Sequence, residues 1–482
     1  MLLESTNVQT IIREISADLE TPVSLYLKLR GDGASFLLES VEGGERIARY
    51  SFIGVQPRAE YILRDVEIEI KDNYGTRTTQ HEGDPTHFLQ NELSRFPAVR
   101  VPNAPRFTGG LVGFLGFESV RFFEPTLSAK MKRAERSRSI PDGIYLLADT
   151  IIAFDHARRS IFLIANVLDG DVESANQKLD MIESRIHQSL PPAQKINVTP
   201  SKVKSNHTQG TYEDMARAAK ENILAGDIFQ VVLSQRFTRE TDVAPFDVYR
   251  AVRRLNPSPY MFFFDFGLVD GEPLYLVGSS PEMFVRLEGN TASLRPIAGT
   301  RPRGADAAAD ELLAKELLAD PKERAEHVML VDLGRNDLGR VCEYGTVKVS
   351  DFFTIEKYSH VMHIVSHVEG KLKPELTAFD LVRAAFPAGT VSGAPKVRAM
   401  EIIANLEPDA RGAYAGMVGY FGFDGAMDTC LAIRTMVGRG NTVSVQAGAG
   451  IVADSNPTTE YQETVNKASA MLRAIDAAEN QG

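Results

Sequence analysis

Two short motifs place pairs of glutamates at a spacing that suits a metal ion. Glu323 and Glu326 are three residues apart, as are Glu460 and Glu463, and Lys467 follows the second pair by one turn. On a helix, residues at this spacing share a face. Carboxylate oxygens are preferred ligands of Mg²⁺, so the two pairs predict a magnesium site between two helices. The alternative for each pair is a solvated, charged helix face, which is the commoner meaning of one such motif.

A glycine-rich segment, QAGAGIVAD (446–454), lies near the C-terminus. The backbone N–H groups of Gly448, Ala449 and Gly450 are suited to bind a carboxylate or phosphate. The spacing also matches a degenerate dinucleotide-binding fingerprint, but that motif opens directly into a helix. Here the next residues are strand-like and Pro457 delays the helix. We therefore expect a carboxylate-binding turn, with a structural β-bend as the alternative.

Three histidines, His360, His363 and His367, would share a face on a helix and suggest zinc. HVMHIVSHV is rich in Val and Ile, however, and predicts a strand, on which His363 and His367 face one way and His360 the other. Zinc is then not expected. Each histidine is either packed in the core or a general acid or base.

Two segments rich in Gly and Pro carry hydroxyl and cationic groups: PIAGTRPRG (296–304) and FPAGTVSGAPK (386–396). Both are predicted to be loops, suited either to anion binding or to ordinary turns. Together, these residues predict an enzyme for a small anion that uses a divalent metal.

The elements that position these residues are strands and helices in separate blocks. Strands are predicted for SLYLKL (24–29), SFLLES (35–40), RYSFIG (49–54) and AEYILRDVEIEI (59–70), and a hairpin for 144–168, turning at Asp155–Ser160. Helices are predicted for Asp171–Leu190, from a Thr211 cap to near Gly226, for 309–333 with a break or new start at Pro321, and for 457–478. This pattern favours an α+β fold with large, mostly antiparallel sheets. We assign residues 1–190 to an N-terminal region, 191–210 to a linker and 211–476 to a catalytic domain.

Bulk composition narrows the function further. The 482 residues are too many for one ordinary core, and the net charge of −11 argues against a nucleic-acid or anionic-membrane partner. Only two cysteines occur, Cys342 and Cys430, so no disulfide framework is expected. The N-terminus lacks a secretory pattern and no apolar stretch approaches ~20 residues, so we expect a cytoplasmic protein.

At these motifs the sequence resembles the chorismate-utilising enzymes, and most closely the family of large, synthase subunits of anthranilate synthases. The matching strings run through almost the whole chain: LLES (37–40), RYSFIG (49–54), GDIFQVVLSQRF (226–237), NPSPYM (256–261), GSSPEM (278–283), PIAGTRPRG (296–304), EHVMLVDLGRND (326–337), YSHVMH (358–363), GTVSGAPK (389–396), DTCLAIRT (428–435) and QAGAGIVADS (446–455). The resemblance implies two large stacked antiparallel β-sheets flanked by helices.

The resemblance also implies roles for individual residues. Mg²⁺ would be bound by Glu326 and Glu463, with Glu323 and Glu460 lining the same site. The catalytic residues would be Glu282 as general acid, His363 in a later proton transfer, Thr390 and Lys467. Chorismate would be held by Gly299, Thr300, Tyr414, Arg434, Gly448, Ala449 and Gly450. L-tryptophan would inhibit from a separate pocket formed by Ser40, Pro259, Tyr260 and Met261.

The implied activity is that of a lyase, which makes anthranilate and pyruvate from chorismate and ammonia. Ammonia would come from glutamine through a partner amidotransferase subunit, in a heterotetramer of two subunits of each kind. The alternative is aminodeoxychorismate synthase, which makes the para isomer. Gln230 and Ala298 favour the ortho product, because related enzymes carry lysine at these places, as a water-activating base or as an amine that attacks the substrate.

Overall fold

The computed structural model describes residues 8–31, 33–40, 49–131, 140–192, 201–358 and 361–480. Within these ranges the strands are β1 (Gln9–Ser16), β2 (Ser35–Glu39), β3 (Tyr50–Val55), β4 (Ala59–Arg64), β5 (Glu67–Asp72), β6 (Gly75–Gln80), β7 (Gly110–Leu115), β8 (Gly143–Ala148), β9 (Thr150–Asp155), β10 (Ser160–Val167), β11 (Lys204–Ser205), β12 (Gln230–Glu240), β13 (Tyr260–Val269), β14 (Glu272–Ser280), β15 (Met283–Glu288), β16 (Thr291–Leu294), β17 (Ile297–Pro302), β18 (Lys348–Lys357), β19 (Val361–Lys371), β20 (Gly393–Ala394), β21 (Met417–Gly422), β22 (Met427–Leu431), β23 (Thr435–Arg439) and β24 (Thr442–Ile451).

The α-helices of the same ranges are α1 (Pro22–Leu29), α2 (Thr86–Ser94), α3 (Val120–Phe123), α4 (Val172–Ile186), α5 (Gln209–Leu224), α6 (Pro245–Leu255), α7 (Ala307–Ala319), α8 (Pro321–Gly339), α9 (Ala378–Ala385), α10 (Gly389–Ser392), α11 (Lys396–Leu406) and α12 (Pro457–Glu479). Two 3₁₀ turns, Phe117–Ser119 and Pro125–Leu127, flank α3. None of the helices in the described ranges is both long and apolar enough to cross a membrane.

The strands form two antiparallel sheets of twelve strands each. The first has the order β1-β10-β9-β3-β2-β13-β14-β23-β24-β12-β11, with β20 beside β12, and the second β17-β19-β16-β15-β22-β21-β7-β8-β4-β5-β6, with β18 beside β19. Their inner faces share one apolar cluster, to which Phe52 and Phe264 come from the first sheet and Phe114 and Leu146 from the second. Helices cover the outer faces. The predicted α+β fold of two stacked antiparallel sheets is confirmed.

The two helices that carry the glutamate pairs begin at strong local signals. The Asp320 side chain accepts from the backbone N–H groups of Lys322 and Glu323, and Pro321 occupies the first turn of α8. At α12 the Asn456 side chain caps in the same way, again with proline in the first turn. Proline suits this position because its missing N–H would have no helical partner. Each glutamate pair therefore lies near the start of its helix.

Two local predictions were wrong. SLYLKL is part of the helix α1, because Thr21 caps it, Pro22 starts it, and Leu25, Tyr26 and Leu29 are buried at helical spacing. The helix α5 is capped by Thr208, three residues before the predicted Thr211, whose side chain completes the capping box instead. Both errors come from overlooking a threonine cap before the apolar run.

The two regions of the chain are interleaved in space. Strands from before and after residues 191–210 occur in both sheets, and β2 pairs directly with β13. The predicted division into residues 1–190 and 211–476 therefore describes regions of the sequence and does not correspond to separate sheets. Of the predicted linker, residues 193–200 lie outside the described ranges, while Lys204–Ser205 form β11 and Gln209 already begins α5.

Candidate active site

The two glutamate pairs face each other across one cleft. Burial raises the pKa of Glu326, and the charges of Glu323 and Glu463 raise it further. Burial likewise raises the pKa of Glu460, with a contribution from Glu463. Carboxylates from α8 and α12 are thus close enough to repel one another.

The arrangement is open and does not form a closed metal cage. In the described part of the chain, no three acidic, His or Cys side chains converge closely enough to enclose an ion. Glu323 accepts from Arg301 (Nη1–Oε1 3.2 Å), and Glu463 forms a salt bridge with Lys467. Mg²⁺ usually keeps several waters and takes only one or two carboxylates plus a substrate oxygen. One carboxylate from each helix fits that requirement.

Glu282 precedes β15 and has the environment of a general acid. Burial raises its pKa to about 7, opposed by a hydrogen bond from Thr390 and by the charge of Lys467. Thr390, on the one-turn helix α10, donates to the carboxylate (Oγ1–Oε1 2.8 Å). A carboxyl group with a pKa near the operating pH suits proton donation.

His363 lies beside the predicted substrate residues Gly299 and Thr300. Its Nδ1 is 3.0 Å from the Gly299 carbonyl oxygen and 3.1 Å from Thr300 Oγ1. Because the carbonyl can only accept, Nδ1 carries the proton, and Nε2 of the neutral ring is left to accept one. Burial lowers the pKa of His363, which keeps the ring neutral.

The 296–304 segment is not the predicted loop, because Ile297–Pro302 forms β17. Its pairing with β19 shifts register between Ala298 and Thr300, at Gly299, whose φ is +68°. A bulge of this kind redirects neighbouring side chains. The second predicted loop, 386–396, contains the short helix α10 and the two-residue strand β20.

The predicted carboxylate-binding turn is also wrong in form, because Gly448, Ala449 and Gly450 lie inside β24. On one edge, β24 stays paired with β12 as far as Ile451. On the other edge, the pairing with β23 ends at Met436–Val445. Beyond that point the strand edge is free of a partner strand among the described residues, which leaves backbone groups available to a ligand.

Side chains close in tightly around this edge. A Cβ at Gly448 would lie 2.5 Å from Tyr414 Oη, and one at Gly450 would lie 2.6 Å from Gln230 Nε2. Lys467 Nζ donates to the Gly448 carbonyl at 2.9 Å. Contact, and not backbone conformation, favours glycine at Gly448, where the Tyr414 hydroxyl and the Leu233 carbonyl are both close, whereas at Gly450 the flexible Gln230 side chain could move away.

Arg434 lies at the same edge, with a φ of +50°. It forms no salt bridge within 4.0 Å to a carboxylate of the described chain. Burial lowers its pKa, partly offset by Tyr414 and Glu463. A half-buried guanidinium without an anionic partner among the described residues is suited to bind a substrate carboxylate.

These groups belong to one site. The charge of Arg434 acts on His363, that of Lys467 acts on Glu282, and Glu463 acts on both Tyr414 and Arg434. The structure therefore brings together the predicted catalytic, substrate and metal residues in one cleft. His367 pairs with Glu369 instead, and His360 lies outside the described residues.

Sequence reasoning missed two arginines around the cleft. Arg301 forms ion pairs with three carboxylates, those of Glu323, Glu316 and Asp320. Its position directly after Thr300 was the available signal. Arg411 is buried behind Tyr414, and no pattern around it indicated a role.

The predicted inhibitor residues line a separate pocket. Ser40, Pro259, Tyr260 and Met261 surround it, together with Arg106 and Asp428. Tyr260 Oη donates to Asp428 at 3.0 Å, and Arg106 and Arg286 both approach the same carboxylate, at 3.4 and 2.9 Å. Ser40 Oγ is buried and has no hydrogen-bond partner within the described ranges, which leave out residues 41–48. The Ser40 hydroxyl is thus available to form a hydrogen bond with a bound ligand.

The fold and cleft define an α+β enzyme of two stacked sheets, with a buried acid, a histidine and an open strand edge in one cleft. The chain belongs to the chorismate binding enzyme family, whose model matches residues 33–473.

Its relatives match over nearly their full length. The anthranilate synthase component 1 of Acinetobacter calcoaceticus is 44% identical, covering 98% of this chain and 96% of that protein. That of Neisseria meningitidis serogroup B is 46% identical, covering 96% and 94%. The crystal structure of anthranilate synthase component I from Streptococcus pneumoniae is 36% identical, with a TM-score of 0.77 over 95% of this chain and 98% of that one. The resemblance to anthranilate synthase large subunits is confirmed.

Proposed function

We propose that this chain is the subunit that converts chorismate and ammonia to anthranilate and pyruvate. Its full-length relatives named anthranilate synthase component 1 support this. The observation that carries the proposal is Glu282, whose pKa of about 7 leaves a protonated fraction at neutral pH. It lies in one cleft with Arg434, which is suited to bind a carboxylate. An acid near an anion-binding cation is what the loss of a hydroxyl from a carboxylated substrate requires.

The residues of the cleft would have separate roles in substrate binding and proton transfer. Arg434, Tyr414 and the open edge of β24 would bind the carboxylates of chorismate. Ammonia would add at C2 of the ring while Glu282 protonates the departing C4 hydroxyl. His363, with Nε2 available, would assist the later proton transfer that expels pyruvate. Lys467 would hold the Gly448 carbonyl, and so the strand edge, in place.

A magnesium ion is part of the proposal. Glu326 and Glu463 would hold it, with Glu323 and Glu460 alongside. When bound, Mg²⁺ would neutralise the charge of the ring carboxylate, which lets an acidic protein bind a dianion. Burial and the neighbouring carboxylates raise the pKa values of Glu326 and Glu460, and a bound cation would offset this repulsion.

A glutamine amidotransferase partner is proposed, in a heterotetramer of two subunits of each kind. Cys342 and Cys430 are both buried. Burial raises the pKa of Cys342 to about 11 and that of Cys430 further still. A thiol held protonated is a poor nucleophile. Neither cysteine is therefore suited to hydrolyse glutamine, and ammonia from glutamine would need the second subunit.

Feedback inhibition by L-tryptophan is proposed for the Ser40 pocket. The pocket combines the aromatic ring of Tyr260 with apolar Met261, the carboxylate of Asp428 and the Ser40 hydroxyl, which has no partner in the described part of the chain. Such a lining suits an amphipathic amino acid that carries both charges and an indole. The pocket is separate from the cleft, so inhibition there would be indirect.

The test is product analysis after mixing the protein with chorismate, Mg²⁺ and ammonium at mildly alkaline pH. Anthranilate, detected by fluorescence and mass spectrometry, is expected. Gln230 is a neutral amide and cannot activate water, so isochorismate is not expected. Ala298 offers no amine, so nitrogen should enter directly at C2. If 4-amino-4-deoxychorismate forms instead, the product assignment is wrong while the family assignment stands. Glutamine in place of ammonium should give turnover only after an amidotransferase subunit is added.

A further inference from the structure

Arg411 is a buried arginine that no step of the proposed reaction uses. It is 3% exposed, and its side chain makes four hydrogen bonds. Two go to Glu407, from Nε to Oε2 at 2.8 Å and from Nη2 to Oε1 at 2.6 Å. The other two go to main-chain carbonyls, those of Val391 at 2.8 Å and Val232 at 2.6 Å. One rigid group thus joins several separate segments of the chain.

The hydrogen bond from Arg411 to the Val391 carbonyl links Arg411 indirectly to Glu282. Val391 directly follows Thr390 in the one-turn helix α10, and Thr390 donates to Glu282. A helix of four residues has little internal support of its own. A charged hydrogen bond to its backbone therefore fixes where the Thr390 hydroxyl points.

The other contacts reach the substrate side of the cleft. Val232 lies on β12 opposite Gly450 of β24. The guanidinium also lies 5.5 Å from the centroid of the Tyr414 ring and 4.5 Å from that of Phe117. Arg411 consequently contacts the segment that carries Tyr414, the strand that supports the Gly450 edge, and the helix that carries Thr390.

Arg411 is itself firmly held. Glu407 is 3% exposed and also accepts from the backbone N–H and hydroxyl of Ser234, both at 2.8 Å. Glu118 accepts from the backbone N–H groups of Arg411 and Gly412 at 2.6 and 2.9 Å. Arg411 is thus held at its backbone by Glu118 and at its guanidinium by Glu407, and can act as a rigid reference for the residues around it.

We propose that Arg411 is a positioning residue for the reaction, which fixes Thr390, and through it Glu282, relative to Tyr414 and the β24 edge. The proposal rests on the proposed function of Glu282 as general acid. Arg411 touches neither the substrate nor the reacting atoms.

The prediction concerns the proton on Glu282, so the groups facing that carboxyl matter. Thr390 and Lys467 act on it directly. Arg295 and Asp337 line the same cavity as Glu282, and they pair with Glu356 and with Lys396, respectively. None of these groups is changed when Arg411 is replaced. A change in the titration of Glu282 would therefore report a change in the Thr390 hydrogen bond.

The test uses Arg411→Lys, which keeps the charge but loses the forked geometry. Glu282 must be protonated to act, so the parent rate falls as pH rises through its pKa. The Thr390 bond favours the ionised carboxylate, and losing it moves that fall to higher pH, by about one unit. We expect kcat to drop by roughly 10- to 100-fold, as for a misplaced catalytic group. The variant-to-parent ratio of kcat should rise between pH 6.5 and 9, and taking the ratio cancels the protonation of ammonia itself.

Two further variants complete the design. Thr390→Val removes the bond directly and should shift the pH profile by the same amount, with no further shift in the Arg411→Lys/Thr390→Val double variant. Arg239→Lys is the matched control, because Arg239 is equally buried (5%) and pairs with Asp476 and Glu479 at the far end of α12. Its pH profile should be that of the parent.

The outcomes are distinct. If the parent makes no product from chorismate, the proposed function fails. If the parent is active and Thr390→Val shifts the profile but Arg411→Lys gives a pH-independent ratio, the positioning role is wrong and Arg411 is only structural. If Arg411→Lys does not fold, Glu407→Gln, which loosens the same fork, is measured in its place under the same criteria.

Discussion

Replacing Glu282 by glutamine should inactivate the protein and stabilise it at the same time. The amide cannot donate a proton as a carboxylic acid does, so turnover should fall by about 10²- to 10⁴-fold. The amide oxygen can still accept from Thr390, so the local packing is kept. The variant thus removes the chemistry without removing the contact.

The stabilisation follows from the pKa of the carboxyl. Burial raises it from 4.5 to about 7. A carboxyl with a raised pKa lowers the stability of the folded state as pH rises, because ionisation is easier in the unfolded chain. The loss is small below pH 4.5, grows up to about pH 7 and is complete above it. Its full size is up to about 3 kcal/mol. Glu282→Gln should recover that amount at pH 8 and much less at pH 5.

The assay is denaturant unfolding of parent and variant at pH 5 and pH 8, with turnover measured on the same preparations. Glu60→Gln is the control, since burial also raises the pKa of Glu60. Glu60 lies on β4, five strands from β15 in the same sheet, and outside the cleft. It should show the same direction of stabilisation with parental turnover. An equal stability difference at both pH values for Glu282→Gln would refute the raised pKa, and near-parental turnover would refute the acid role.

Three other predictions concern the metal, the strand edge and the second pocket. Glu326→Gln and Glu463→Gln should each weaken Mg²⁺ binding at least about tenfold by calorimetry while the fold survives, because each removes a charged ligand; unchanged affinity would contradict the assignment. Gly448→Ala places a Cβ 2.5 Å from Tyr414 Oη, so KM for chorismate should rise by roughly 10-fold or more. The same contact should destabilise the fold, and adding Tyr414→Phe should recover part of the lost stability by removing the hydroxyl. Ser40→Phe should abolish inhibition by tryptophan and leave the uninhibited rate largely intact, and equal inhibition of both proteins would remove Ser40 from the site.

Local signals in the sequence were sufficient for much of this protein. Short apolar runs in RYSFIG and in the 144–168 segment predicted strands that exist, and Pro321 and Pro457 marked true helix starts. The i, i+3 glutamates share a helix face because helical geometry requires it. The family and its motif residues were also evident from the sequence, because the matching strings occur at short intervals along almost the whole chain. Where a local signal was misjudged, as at Thr21–Pro22, the information was still present in the chain.

Other features depended on the tertiary structure. PIAGTRPRG has the composition of a loop, yet pairing with β19 makes it a strand, with the bulge at Gly299. The glycines at 448–450 form a strand edge and not a turn, because β12 continues where β23 stops. The pKa of Glu282 depends on Thr390, 108 residues away along the chain, and Arg411 donates to the carbonyl of Val232, 179 residues away. Burial and long-range pairing arise only when the sheets stack, so a local pattern contains no record of them.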